Sequence, residues 1–197
     1  MSLDFNIMVG GEAGQGIQTM GAVLAKAMSR GGLHIFSDQD YESRIRGGHN
    51  FFRVRVRDRE VMALSEKVDI LLAMNKETID LHEKELKSGD SRIIYDGSVV
   101  KTGAKDGRFL DVPLAKLAED TVKSKLMSNS VAVGAAVGLV DYDFELLAGV
   151  LQEQFAKSGK LVQEANVKAA KAGYDYARQN GRRNTMLNVK PIGKGNR

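Results

Sequence analysis

The sequence predicts an α/β domain: a three-layer α/β/α sandwich around a mostly parallel sheet, with an antiparallel hairpin at the sheet edge. Three patterns point there. Short apolar runs alternate with stretches of helical period along most of the chain. One run, Val68-Asp69-Ile70-Leu71-Leu72-Ala73-Met74, is apolar at nearly every position, as a strand covered on both faces must be. Another, Phe52-Arg53-Val54-Arg55-Val56-Arg57, alternates strictly, as a strand with one wet face does.

The elements follow in order. Residues 4–10 read as the first strand, followed by a glycine-rich turn. A helix over 15–30 follows, with Ile17, Met20, Leu24 and Ala27 on one face. Gly31-Gly32 stops it, and Leu33-His34-Ile35-Phe36 is a second strand, so a βαβ unit with a parallel, right-handed crossover is expected. A polar loop over 37–50 leads to the Arg/Val strand, which 58–60 turn back into a return strand at 61–64. After the central strand, Asn75 caps a helix running to about 87, ended by Gly89. Strands at 91–96 and 109–112 precede a helix over 113–126 that Pro113 opens. A small-residue helix over 129–140 and two more, at about 143–157 and 160–179, complete a domain of residues 1–180. Residues 181–197 are polar, glycine-containing and basic, the composition of a tail, docking arm or interdomain linker.

Composition narrows the classes. The chain has 197 residues, 43% apolar and 27% charged, ordinary for a single globular domain. No apolar run is long enough for a membrane span, and the N-terminal run is too short for a signal peptide, so a cytoplasmic location is the default expectation. Without cysteine, the chain supplies no disulfide, zinc thiolate or iron–sulfur ligand, and its three histidines lie far apart. The net charge of +4 describes the tail: residues 178–197 hold six basic residues and no acid, leaving about −2 elsewhere. The basic balance is therefore poor evidence for nucleic-acid binding.

Two glycine loops carry the functional interest. The first, Gly10-Gly11-Glu12-Ala13-Gly14-Gln15-Gly16, joins a strand to a helix, the layout that turns backbone N–H groups toward an anion. It fails the dinucleotide fingerprint: from Gly14 and Gly16 the third glycine falls on Thr19. It also fails the P-loop pattern, because Ile17-Gln18 stands where Lys-Ser/Thr is required. A bare turn requirement explains such a loop about as well as a ligand does. The second, Arg44-Ile45-Arg46-Gly47-Gly48-His49, sets guanidinium forks beside exposed backbone, suited to phosphate or carboxylate. The candidate binding residues are Gly11, Gly14, Gln15, Gly16, Arg44, Arg46, Gly47, Gly48 and His49. His49 reads as a hydrogen-bonding residue rather than a base, and His34 and His82 as structural. Arg53, Arg55 and Arg57 read as the water-facing side of an edge strand. No nucleophile elbow or carboxylate pair suggests catalysis by this chain alone.

Gly-Glu-Ala-Gly-Gln-Gly-Ile at 11–17 resembles the opening motif of the gamma domain of 2-oxoacid:ferredoxin oxidoreductases. Tyr41-Glu42-Ser43-Arg44-Ile45-Arg46-Gly47-Gly48-His49 is similar to that domain's Y-x-x-E-x-R-G-G motif, and Asn129-Ser130-Val131-Ala132-Val133-Gly134-Ala135 to its N-x-V-A-L-G-A segment. Ala13 replaces a usual glycine, and Arg44 stands where the oxoglutarate-type members often have glutamate. The resemblance implies a subunit that supports oxidative decarboxylation of a 2-oxoacid with coenzyme A, giving acyl-CoA and carbon dioxide with reduction of ferredoxin. It implies alpha and beta thiamine-binding partners, a ferredoxin-like delta subunit and a homo- or hetero-oligomer. Thiamine diphosphate, magnesium and iron–sulfur clusters would then sit in those partners or in other domains. This chain would bind none of them alone, and the two loops would contact coenzyme A or a partner subunit. The oxoacid is left open, with Tyr41 and Arg46-Gly47-Gly48-His49 leaning toward the 2-oxoglutarate-like branch. The rival classes are an independent nucleotide-cofactor oxidoreductase and a nucleic-acid module. The failed fingerprints count against the first. An aromatic content of 6%, with no tryptophan, counts against the second.

Overall fold

The first apolar run forms β1 (Asp4–Glu12), and its alternate side chains serve opposite faces of one sheet. Phe5, Ile7 and Val9 enter the larger of two cores and Met8 the smaller. The structure, a computed structural model, describes residues 2–41, 48–87, 89–102, 106–181 and 187–193. After β1 come α1 (Ile17–Arg30), β2 (His34–Tyr41), β3 (His49–Arg57), β4 (Ile70–Ala73), α2 (Lys76–His82), β5 (Arg92–Tyr95) and β6 (Phe109–Asp111). Four helices close the domain: α3 (Leu114–Val122), α4 (Ser128–Leu139), α5 (Phe144–Gln154) and α6 (Lys160–Asn180). The sheet order is β2-β3-β1-β4-β5-β6. Strands β1, β4, β5 and β6 run parallel, while β3 is antiparallel to both β1 and β2. The larger core lies under α1, α3, α4, α5 and α6; the smaller lies under α2. This is the expected α/β/α sandwich with unequal outer layers.

The edge hairpin is made by β2 and β3, not by 52–57 and 61–64. Residues 61–64 form no strand. They lie in a segment that supplies carbonyls to the arginine face of β3: Arg55 donates to the carbonyl oxygen of Ala63 at 2.9 Å, Arg57 to that of Glu60 at 3.1 Å, and Arg53 to that of Ser65 at 3.3 Å. Arg55 also pairs with Asp4 at 2.7 Å, and Arg53 with Glu85 at 3.0 Å. These side chains are only 13–17% exposed, so the expectation of a water-facing edge is corrected. The alternation Arg-Val is the same whether the polar face meets water or a layer of carbonyls and carboxylates. The crossover is also wider than a simple βαβ unit. Strands β1 and β2 run the same way, but β3 is inserted between them.

Local signals account for most boundaries. Asn75 Oδ1 accepts the Thr78 N–H at 3.0 Å, capping α2. That helix ends at His82, earlier than expected, in the 3-10 turn Glu83–Glu85. The chain leaves it so that Leu86 can bridge Val68, with the Lys87 N–H on the Val68 carbonyl at 2.9 Å. Gly31 does more than stop α1: an added Cβ would run into the Tyr142 hydroxyl, which donates to the Met28 carbonyl at 3.1 Å. Tyr142 is fully buried, and burial pushes its phenol pKa up. Within the tail, the described residues 187–193 pack against the domain. Val189 is fully buried, its N–H reaches the Val140 carbonyl at 2.9 Å, and the Ile192 N–H reaches Gly31 at 2.8 Å.

Helix α4 is apolar and buried on every side from Ser130 to Leu139. Its crossing with α6 is backbone on backbone. A Cβ at Gly134 would strike the Ala170 carbonyl, and one at Gly173 would strike the Val131 carbonyl. Gly134→Ala is expected to cost about 1–3 kcal/mol of stability, read as a lower urea midpoint. A second expectation concerns Asp4, whose carboxyl pKa is lowered by its hydrogen bond to Arg55, with Arg57 adding to the pull. A depressed aspartate contributes stability above its unfolded pKa and loses it as pH falls. Asp4→Asn is therefore expected to lower the melting temperature at neutral pH by an amount worth at most about 1 kcal/mol for this part-exposed pair. The difference should fade in acid, below the ordinary aspartate range.

Candidate functional site

The first glycine turn sits at the carboxyl end of β1, where open α/β sheets bind ligands. Gly10 and Gly11 are still in the strand, and each is glycine for lack of space. A Cβ on Gly10 would press on Thr78 and His49; one on Gly11 would press on Gln15, Ile17 and Met74. Gly14 and Gly16 adopt φ of 92° and 77°, the left-handed region. Gln15 closes the turn on itself: its Oε1 accepts the Glu12 N–H at 2.7 Å, and its own N–H reaches the Glu12 carbonyl at 3.1 Å. The side-chain carbonyl of Gln15 is thus a turn constituent.

The turn delivers the start of α1. Its first intrahelical bond runs from the Met20 N–H to the Gly16 carbonyl at 3.0 Å, and Gly16 offers no side-chain cap. The N–H groups of Ile17, Gln18 and Thr19 therefore point out of the helix, at the positive end of its dipole. They open onto a depression of ≈ 320 Å³ lined by Glu12, Gly14, Gly16, Ile17, Gln18, Thr19 and Asn50. It suits an anionic group. Glu12 is its one acidic lining residue.

The second loop arrives at the same place. Strand register pairs Glu12 with His49 and Gly11 with Asn50, and the Ala13 N–H donates to the Gly48 carbonyl at 3.1 Å. Gly11, Gly14, Gln15, Gly16, Gly48 and His49 are thus brought together. Arg44, Arg46 and Gly47 lie outside the described residues. His49 is a buried member of the site. Its Nε2 lies 2.8 Å from the Nε2 of His82, which in turn holds Glu85. Among the described residues no cluster of potential ligands could hold a metal ion.

Several site residues carried no assigned role in the sequence. Asn129, at the start of α4, donates through Nδ2 to the Gln15 carbonyl at 2.9 Å and packs against Gly16. Its place in the motif at 129–135 was the available signal. Asn50 and Thr19 line the depression, but sequence offers no hint of it. His82 and Glu85 meet His49 only through tertiary packing.

With this geometry in place, the comparisons define the class of protein. Residues 6–176 match the family model described as pyruvate ferredoxin/flavodoxin oxidoreductase, so the chain belongs to that family. Within it the chain is of the gamma-subunit type of the 2-oxoacid:ferredoxin oxidoreductases. It is 28% identical over 180 residues to a 2-oxoglutarate synthase subunit of Archaeoglobus fulgidus, covering 91% of each chain. It matches the gamma subunit of a keto/oxoacid ferredoxin oxidoreductase from Geobacter sulfurreducens with TM-score 0.73 and 25% identity, covering 88% of this chain and 98% of that one. The fold also matches, at TM-score 0.82 and 24% identity, a 2-oxoglutarate:ferredoxin oxidoreductase from Magnetococcus marinus solved with 2-oxoglutarate, coenzyme A and succinyl-CoA bound. That match covers 98% of this chain and 33% of the longer one. No helix among the described residues is long and apolar enough to cross a membrane.

Asn129→Ala removes the tie between α4 and the first turn. It is expected to destabilise the fold by about 1 kcal/mol and to speed amide exchange at 14–17, measured by hydrogen exchange, while exchange in β4 and β5 is unchanged.

Proposed function

We propose that this chain is the gamma-type part of an assembly that oxidatively decarboxylates a 2-oxoacid with coenzyme A, yielding acyl-CoA and carbon dioxide and passing electrons to ferredoxin. Its own share is to hold the phosphates of coenzyme A at the paired glycine turns. The observation that carries this reading is that Gly48 accepts the Ala13 N–H of the first glycine turn beside the uncapped N-terminus of α1. In sequence, Arg44 and Arg46 stand four and two residues before Gly48, and in this reading they supply the fork donors that a pyrophosphate or 3′-phosphate would take. The Magnetococcus relative holds coenzyme A, and both it and the Archaeoglobus relative act in 2-oxoglutarate chemistry, in line with a 2-oxoglutarate-like substrate here.

The residues fit part of the ligand. A depression of ≈ 320 Å³ takes an anionic group but not a whole coenzyme A, so the remainder would lie against partner subunits. Thiamine diphosphate, magnesium and iron–sulfur clusters also belong to partners in this reading: alpha and beta subunits and a ferredoxin-like delta subunit. This chain has no cysteine with which to hold a cluster. Its contribution is to bind and orient, with no acid, base or nucleophile of its own at the reacting atoms. A cytoplasmic location follows from the same assignment.

A subunit interface is the second reading, and one observation favours it. Leu126 is 89% exposed beside a largely apolar hollow of ≈ 330 Å³ between α1, α4, α5 and α6. Co-purification with thiamine-binding subunits tests the assembly. In the assembled enzyme, Arg46→Ala is expected to raise the apparent KM for coenzyme A about tenfold or more while kcat changes little, the loss of a charged hydrogen bond. Normal assembly with an unchanged KM overturns the cradle.

A further inference from the structure

Beside the start of α1 lies the hollow of ≈ 330 Å³, which shares Gly16 and Thr19 with the anion-taking depression. Its walls are apolar: Met20 of α1, Val133 of α4, Leu151 and Phe155 at the end of α5, and Val162 of α6. Its floor is polar. Ser130 and Asn166, from α4 and α6, are only 5% and 2% exposed. One turn further along each helix, at Gly134 and Ala170, the two cross backbone on backbone, so the hollow does not continue between them. Apolar walls with a few fixed polar groups are the usual form of a small-ligand pocket.

The floor presents one donor and one acceptor in fixed places. Asn166 Nδ2 donates to the Val162 carbonyl at 2.8 Å, which fixes the orientation of the amide. Its Oδ1 therefore faces Ser130, 2.6 Å away, and an amide oxygen only accepts, so the Ser130 hydroxyl gives its hydrogen there. Ser130 Oγ is left with lone pairs alone, and Asn166 Nδ2 with one spare hydrogen. A group that meets both needs an N–H donor and an acceptor side by side on one edge. A trans amide, as in a pantetheine arm, sets its N–H and C=O on opposite sides and meets only one. The adenine ring carries its 6-amino group next to a ring-nitrogen acceptor, and its flat apolar faces suit walls of Met, Val, Leu and Phe.

We propose that this hollow seats the adenine ring of coenzyme A, with Ser130 Oγ accepting from the 6-amino group and Asn166 Nδ2 donating to the neighbouring ring nitrogen. The assignment rests on the reading that the depression at the start of α1 takes phosphates of coenzyme A, and it adds the base to what this chain holds. Ribose phosphate and base are neighbours in the ligand, as the two hollows are neighbours across Gly16 and Thr19. The thiol end must reach the reacting centre in the partner subunits, so the base is the end free to enter a hollow closed below. The ring, and not a partner's side chain, then fills the hollow, and the exposed Leu126 beside it is left for the subunit interface.

The test is the assembled enzyme. Val162 is half-buried on the wall, so Val162→Phe fills the hollow from the side of α6. It is expected to raise the KM for coenzyme A about tenfold or more relative to that for 4′-phosphopantetheine, which lacks the nucleotide, and to weaken competitive inhibition by adenosine 3′,5′-bisphosphate by a similar factor. An unchanged ratio with unchanged inhibition in a normally assembled enzyme overturns the seat. So does a KM that rises equally for both acceptors, the mark of a pantetheine arm in the hollow. If Val162→Phe fails to fold or assemble, the floor decides. A coenzyme A analogue whose base lacks the 6-amino group should raise the wild-type KM about tenfold and the Ser130→Ala KM far less, because the loss of a donor is felt only where its buried acceptor is present. Equal losses in the two enzymes overturn the seat. Arg46→Ala separates this failure from failure of the phosphate reading. If Arg46→Ala raises the KM for coenzyme A and the hollow variants do nothing, only the seat falls. If the hollow variants act and Arg46→Ala does not, the arginine cradle falls and the seat stands. If neither acts, both fall.

Discussion

The insertion of β3 between β2 and β1 is the constraint on which the rest of this domain depends. Antiparallel pairing fixes register residue by residue, and a slip of one would turn every side chain to the opposite face. The register that sets Glu12 against His49 therefore does three things together. It delivers the end of the second loop to the first glycine turn. It sends Val54 and Val56 into the larger core. It also lines up Arg53, Arg55 and Arg57 on the other face, where the segment after β3 and the side chains of Asp4 and Glu85 receive them. A parallel neighbour at this position would have put the loop at the wrong end of the sheet.

The glycine turn is consequently held from two directions by unlike means. On the side of the larger core, Asn129 grips the Gln15 carbonyl from the start of α4, a helix with no exposed face from Ser130 onward. On the side of the smaller core, His49 leans on His82, which Glu85 holds in turn. An apolar pair would fill that space at less energetic risk, since a buried polar group left unmatched is costly. A chain of directed hydrogen bonds gives orientation that packing alone does not. The glycines in between have no side chains with which to resist displacement, so their placement is inherited from these two supports.

How far sequence reaches is clear from particular residues. The run 68–74 announced a covered strand because burial on both faces leaves no room for alternation, and Asn75 announced α2 because an uncapped helix start needs an acceptor. The glycine turn was legible because positive φ is a local demand, met at Gly14 and Gly16. What failed was non-local. Arg53, Arg55 and Arg57 show a period of two whether they face water or a roof of carbonyls, so sequence placed β3 at an edge and invented a strand at 61–64. Residues 187–193 have tail composition, yet Val189 finds a fully buried seat beside Val140. His49 and His82 have no sequence spacing that hints at contact, because the sheet register and the α2 position that join them are properties of the whole fold.

Helix α4 carries one more consequence. The most enclosed helix in the domain is built largely from glycine, alanine and valine, residues with few side-chain rotamers or none. Ordering a glycine or alanine side chain costs essentially no rotamer entropy, whereas each long apolar chain in its place would lose up to roughly 1 kcal/mol or more. The helix that steadies the turn through Asn129 therefore has almost no internal freedom left to lose or regain. On warming, this support has little side-chain rotamer entropy to release, so the first glycine turn is anchored on that side by backbone rather than by side-chain order.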